Sequence, residues 1–357
     1  MVYQDVSGQL AENIQSVFGI ESPDNRIISN EAVMGGVSGA IISFLQLEKE
    51  FSSALPYKRV VCKFAEDVGK RERKGAGVLN QLLTNGVTVI PFAAIKNPHL
   101  HVMRYVPGET LNSLVVSNHD RGQEQLVKVA VANRDLWLST KTADRSVVTG
   151  PNYLSKLSET IEMMLKSKIT AQDEEVSLGD LQDSPLFLNG RSLPSLRVLL
   201  QEMADEIESS DLFGIQHGDE GAGNFIYYED TIFVVDNEKA GYKPIGEGLA
   251  KLFCWFPATL SYPGVGSRVT VVGGALRIDG KPGIPSHAYR MNKRLVGLLK
   301  ESDLPDLISG TRLRAFCACY YIRELQWLTR RQREHMKFNM IEMALHQLMR
   351  MHEKAGW

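Results

Sequence analysis

The chain changes character near residue 105, and this change constrains the fold more than any other feature. Before it, the short runs 40–47, 59–64, 87–90 and 100–105 are rich in β-branched and aromatic residues and bounded by Gly or Pro. That is the pattern of strands. One helical stretch, 68–83, interrupts them. Beyond Gly108, the segments 123–138, 153–168, 193–208 and 312–352 carry apolar residues at three- and four-residue intervals, which predicts long amphipathic helices. The expected class is therefore α+β, with a small β-rich lobe over residues 1–105 and a larger, mainly helical lobe over 106–357. The polar stretch 168–193, with Asp173-Glu174-Glu175, Pro185 and Gly190, reads as an exposed, irregular connection or insertion. The Gly- and Pro-rich zone 257–285 reads as irregular, with one short hairpin over 269–278.

Charge and cysteine usage narrow the class further. The 357 residues hold 40 Lys and Arg against 42 Asp and Glu, a net charge of −2 that offers no global attraction for nucleic acid. The short basic run Arg330-Arg331-Gln332-Arg333 reads as helix surface. The first ten residues lack both a cationic start and an apolar run, so a secretory signal is not expected. Residues 75–95 carry no charge, but Asn80, Gln81, Thr84, Asn85, Gly86 and Pro91 make them a poor membrane span. The four cysteines form no C-x-x-C. Cys317 and Cys319, two apart on a predicted helix, point in different directions and make a poor zinc clamp. Buried free thiols in a reducing cytosol are expected, and no structural metal. The expected protein is cytoplasmic, with neither nucleic acid nor membrane as partner; its oligomeric state is open.

The chemistry concentrates in residues 214–238, GIQHGDEGAGNFIYYEDTIFVVDNE. His217-Gly218-Asp219 is followed, after four intervening residues, by Asn224. Two short apolar runs, 225–228 and 231–235, flank Glu229-Asp230 as hairpin strands flank a turn. Asp236 ends the second run. A loop carboxylate, a loop amide and a carboxylate across a hairpin can converge on one point. Asn224 and Asp236 offer two hard oxygen ligands that, with phosphate oxygens, suit Mg²⁺. Asp219 is then left to orient a hydroxyl and accept its proton.

H-G-D-x-x-x-x-N followed by a strand-borne D-x-E resembles the catalytic segment of the aminoglycoside phosphotransferase and choline kinase superfamily, a branch of the protein-kinase-like fold. Protein kinases use a related H-R-D-x-x-x-x-N and D-F-G. Gly218 in place of Arg, and Asn237-Glu238 after Asp236, favour the small-molecule branch. The resemblance implies a two-lobed fold and assigns further residues. Gly35, Gly36, Ser38 and Gly39, ahead of a strand, are similar to the phosphate-covering loop. Lys63 is similar to the strand lysine that contacts the α- and β-phosphates. Glu72 is its expected anionic partner, with Glu66 as a rival; Gly75 and Gly77 weaken the helix that carries Glu72. Residues 101–111, HVMRYVPGETL, look like the hinge, where backbone groups of Arg104, Tyr105 and Val106 bind adenine.

The agreement runs from Gly35 to Ala250, with departures. Glu220-Gly221-Ala222-Gly223 replaces the family's usual L-H-P after the catalytic Asp, and Glu220 is expected to alter substrate approach. In the stretch similar to G-D-P-x-x-D-L-A, Lys243 replaces one acid and Glu247 stands for the other. The expected activity is that of a phosphotransferase enzyme with an alcohol group as acceptor. The expected phosphoryl donor is ATP, with GTP as alternative, the cofactor is Mg²⁺, and the acceptor is a small molecule such as an aminoglycoside-like antibiotic, amino alcohol or sugar. Two other readings stand beside it, a protein or peptide kinase and a nucleotide-binding pseudokinase scaffold. The acidic groups at 173–175 and 202–211 read chiefly as solvated faces, with attraction for a cationic substrate as the alternative. Trp255, Phe256 and Tyr262 read chiefly as core, with a pocket wall as the alternative.

Overall fold

The structure, a computed structural model, describes residues 27–34, 40–50, 52–53, 55–80, 83–93, 98–148, 150–171, 174–260, 268–280, 282–301, 308–330 and 336–355. The chain forms two compact units, residues 1–113 with 223–240, and residues 114–222 with 241–357. The hairpin after Asn224 thus belongs with the N-terminal strands rather than with the helices on either side of it in sequence.

The first unit contains β1 (Ile27–Met34), β2 (Ile41–Leu47), β3 (Arg59–Phe64), helix α1 (Val68–Leu79), β4 (Val87–Val89), β5 (Phe92–Ala93), β6 (Leu100–Arg104) and β7 (Glu109–Thr110). An antiparallel sheet runs β1-β2-β3-β6-β5. Alternation along its strands sends Leu45, Leu47, Val60, Cys62, Leu100 and Val102 into one buried cluster with Leu55 and Ala93. Lys63 and Val61 fall on the opposite face, as period two requires. A second sheet runs from β4 through strands Thr231–Val234 and Phe225–Tyr228 to β7. Helix α1 buries Val68, Gly69, Glu72, Gly75, Ala76 and Leu79, a stripe at three- and four-residue spacing. It ends at Leu79, four residues before the predicted limit.

The second unit is mainly helical: α2 (His119–Thr140), α3 (Leu157–Lys166), α4 (Leu196–Glu208), α5 (Ile245–Leu260), α6 (Ser286–Lys300), α7 (Gly310–Arg330) and α8 (Lys337–His352). Helix α7 touches α3, α4, α5 and α8, and Ala315, Phe316, Cys317, Ala318, Cys319, Tyr320, Tyr321 and Ile322 are all buried. Over residues 315–322 the helix is therefore buried all round, so no polar face marks that stretch.

Three sequence expectations need correction. The segment 168–193 is not an irregular connection. It holds strands Lys168–Ala171, Glu174–Ser177, Leu186–Leu188 and Arg191–Leu193. Leu186–Leu188 pairs in parallel with Ala275–Asp279, and Leu186, Leu188, Leu276 and Ile278 are buried. A three-residue strand is stabilised by a partner about ninety residues away, a signal that no local window contains. The irregular zone starts later than Pro257, which lies inside α5. The stretch 312–352 forms two helices rather than one. The hairpin expected at 269–278 is present as Arg268–Val272 and Ala275–Asp279. No described helix is long and apolar enough to cross a membrane.

Candidate active site

In the first unit, Lys63 lies on β3 between Ile42 of β2 and His101 of β6. Its Nζ donates to Glu72 Oε1 at 2.7 Å and to Asp236 Oδ1 at 2.5 Å. Glu66, the rival partner, is exposed. Glu72 is 1% exposed, and its second oxygen, Oε2, accepts the Asn237 main-chain N–H at 2.7 Å. One carboxylate thus ties a strand lysine to the segment after the hairpin. Burial acts against the Lys63 ammonium, but Glu72 and Asp236 outweigh it and hold its pKa above the ordinary lysine range. Burial also pushes the Glu72 carboxyl upward, against the pull of Lys63.

Beside the lysine, opposite it on β6, lies a residue the sequence did not single out. His101 is 1% exposed, and burial, followed by the positive charges of Lys63 and Arg73, drives its pKa down to about 3. The ring is neutral at physiological pH and adds no charge beside the lysine. Two glycines of α1 permit the close packing. A Cβ on Gly69 would lie 2.1 Å from the Leu100 carbonyl oxygen, and one on Gly75 would lie 1.7 Å from that of Asn237.

Asp236 follows its strand in a left-handed conformation, φ 61° and ψ 49°, a region that Asp tolerates better than bulkier residues do. Its side chain is 34% exposed. The Val235 N–H donates to the Asn224 carbonyl at 3.0 Å, so closure of the hairpin places Asn224 opposite the residue before Asp236. No cluster of three or more His, Cys, Asp or Glu suited to a metal occurs among the described residues. The donor set here is one carboxylate and one amide, both hard oxygen donors. That fits Mg²⁺, which takes one or two protein oxygens and completes its shell with water and phosphate.

In the candidate hinge, the Arg104 N–H donates to Pro91 O at 2.8 Å and the Tyr105 N–H to Arg59 O at 3.1 Å. The Arg104 guanidinium lies over Tyr57 at 4.7 Å and Phe233 at 5.6 Å. Val106 is buried beside Ile90, Met103 and Phe233. The N–H groups of Arg104 and Tyr105 are therefore bonded within the unit, and that of Val106 has no partner among the described residues. Gly35, Gly36, Ser38 and Gly39 lie outside the described residues, as do Tyr262 and the Phe256 side chain.

Asp219 belongs to the second unit, on the loop after strand Phe213–Gln216. It is half-buried. The His217 Nδ1–H donates to the Asp219 carbonyl at 2.9 Å. Gly218 has φ +86°, the left-handed region where glycine carries no penalty. Glu220 corrects an expectation. It is buried, and Oε1 accepts the Gly218 N–H at 3.0 Å, so its carboxylate is committed within the loop rather than presented to solvent. Glu247 accepts the Tyr153 N–H at 2.8 Å and pairs with Lys251 at 2.7 Å. Lys251 went unread in the sequence, although its i,i+4 spacing from Glu247 was visible there.

No protein-family model and no curated protein sequence matches the chain. Solved structures do. An ethanolamine kinase of Plasmodium vivax superposes with TM-score 0.51 at 12% identity, over 96% of this chain and 86% of its own. A choline/ethanolamine kinase family protein of Mesorhizobium loti gives 0.50 at 10%, over 98% and 94%. An aminoglycoside phosphotransferase, solved as a thermostable mutant with ADP and hygromycin B, gives 0.53 at 12%, over 96% and 98%. At such identity the likeness is one of fold. The chain has the protein-kinase-like α+β fold found in these small-molecule phosphotransferases, the fold that the resemblance of residues 214–238 implies.

Proposed function

We propose that the protein is an ATP-dependent phosphotransferase of the cytosol acting on a hydroxyl group of a small molecule such as an amino alcohol, sugar or aminoglycoside-like compound. The observation that carries this reading is the buried pairing of Lys63 with Glu72 and Asp236. A lysine fixed by two carboxylates is a pre-set cation for the α- and β-phosphates of a nucleoside triphosphate, ATP or GTP. The Val106 N–H is the hinge donor for the base. Asn224 and Asp236 are the residues that would hold Mg²⁺, which when bound neutralises charge on the phosphate oxygens. Asp219 orients the acceptor hydroxyl and takes its proton. The hydroxyl oxygen forms the new bond to the γ-phosphorus, the bond from that phosphorus to the β,γ-bridging oxygen breaks, and ADP leaves. Positioning and charge neutralisation supply most of the rate.

The test is ADP release from Mg-ATP across a panel of amino alcohols, sugars, nucleosides and aminoglycosides, with Asp219→Ala run in parallel. A compound-dependent signal that disappears in the variant, with nucleotide binding retained, is the expected result. Nucleotide binding without transfer to any small molecule, and with phosphate appearing on a polypeptide, would overturn it in favour of a protein kinase.

A further inference from the structure

One face of α5 lies directly beneath the loop that carries Asp219. Glu247, Lys251 and Trp255 are spaced four residues apart and so share a face. Each is engaged with the loop or with its support. The Lys251 Nζ donates to the Gly218 carbonyl at 2.9 Å and to Glu247 Oε1 at 2.7 Å. Glu220 Oε2 lies 3.7 Å from the same nitrogen. Trp255 packs under Gly221 so closely that a Cβ there would lie 2.8 Å from the indole nitrogen. The Lys251 side chain is 13% exposed and that of Glu220 is fully buried. Glu247, Glu220 and Asp219 all act on the ammonium, and together they outweigh its burial.

The consequence for the loop is specific. The Gly218 peptide unit on the N-terminal side is held through its N–H by Glu220, and the one on the C-terminal side through its carbonyl by Lys251. The next carbonyl, that of Asp219, is held by the His217 ring. Glycine with φ +86° has the greatest backbone freedom of any residue, so without these ties the dihedral angles that aim Asp219 would be poorly fixed. Resting on the reading of Asp219 as the proton acceptor, we infer that Lys251 and Glu220 are positioning residues that clamp Gly218 and set the direction of Asp219. Glu220, the apparent departure from the family's loop sequence, supplies one jaw of this clamp, and Lys251 the other. Neither residue touches substrate.

The experiment compares Lys251→Met, Lys251→Arg, Glu220→Gln and Asp219→Ala in full-length protein by two readouts. The first is amide hydrogen exchange over residues 215–222. Lys251→Met is expected to speed exchange there and leave other segments unchanged. The second is turnover with the best acceptor of the panel, or hydrolysis of ATP to ADP and phosphate if none is found. Lys251→Met is expected to lower kcat by about 100-fold, the effect of a displacement near 1 Å, with Mg-ATP affinity and acceptor KM within about twofold. Lys251→Arg keeps a donor and Glu220→Gln keeps the acceptor for Gly218 N–H, so both should recover most of the activity. Unchanged exchange and unchanged kcat in Lys251→Met overturn the clamp. Turnover that persists in Asp219→Ala overturns the catalytic reading instead, while the exchange readout still judges the clamp. Should Lys251→Met fail to fold, Lys251→Met/Glu247→Gln removes both charges of the pair and serves in its place.

Discussion

Gly75 of α1 lies against the main chain of Asn237 with no space for a methyl group between them: a Cβ at 75 would sit 1.7 Å from the Asn237 oxygen. The contact brings α1 down on the segment after Asp236, where Glu72 bonds the Asn237 N–H at 2.7 Å and Arg71 pairs with Glu238 at 3.2 Å. A residue that propensity marks as a weak point in a helix is what allows the lysine's partner to reach the hairpin.

Gly75 and Gly77 should therefore respond in opposite directions to the same substitution. Nothing lies within 4 Å of a Cβ built at Gly77, so Gly77→Ala gains helix propensity and should stabilise by up to about 1 kcal/mol. Gly75→Ala gains the same propensity but must push Asn237 away, an overpacking cost of about 1–3 kcal/mol. Chemical denaturation of the two variants checks the sign of each, and equal shifts would mean that the contact is loose.

Lys63 and Asp236 should separate in their metal dependence. Lys63→Met removes the phosphate cation and leaves two carboxylates facing each other. It should weaken ATP binding by tenfold or more, about 1.4 kcal/mol, with or without Mg²⁺. Asp236→Asn should weaken Mg-ATP by a similar factor of about ten and leave metal-free ATP binding unharmed, because it releases the lysine. Titration calorimetry with and without EDTA distinguishes the two patterns.

His101 gives a pH signature of folding. Its native pKa near 3 lies below the ordinary 6.5, so between those values the unfolded chain holds a proton that the folded chain does not. Stability contributed by the neutral ring is complete above pH 6.5 and is lost as pH falls toward 3, at up to about 1.4 kcal/mol per pH unit. His101→Phe should flatten the slope of unfolding free energy against pH from 6.5 to 4. An unchanged slope would show that the ring is protonated in place.

The thiols should be inert until the protein unfolds. All four cysteines are free and buried, and burial raises Cys62 and Cys319 to about 12. Iodoacetamide at pH 8 should leave both unmodified in native protein and label both in denaturant, as mass spectrometry of the 62 and 319 peptides will show.

Several parts of this arrangement are legible in the sequence alone. Strands 59–64 and 100–104 follow from alternation and β-branching, and the hairpin from two apolar runs around Glu229-Asp230. These signals are local, carried by residues that neighbour one another in sequence. Glu72 is the expected partner of Lys63, but local sequence leaves Glu66 as a rival. Both lie within ten residues of Lys63, and only the direction of α1 buries one and exposes the other. The inward turn of Glu220 was hidden, since it depends on Lys251 arriving from a helix thirty residues on.

What the sequence determined by itself was the order of elements and the spacing of His217, Asp219, Asn224 and Asp236, because periodicity and motif spacing are properties of a chain read in one dimension. The tertiary structure alone decided that Asp236 joins Glu72 on Lys63, why Gly75 must be glycine, and how Leu186–Leu188 finds Ala275–Asp279. Each of these is a contact between distant segments, and its energy comes from close packing and desolvation that exist only once both segments are in place.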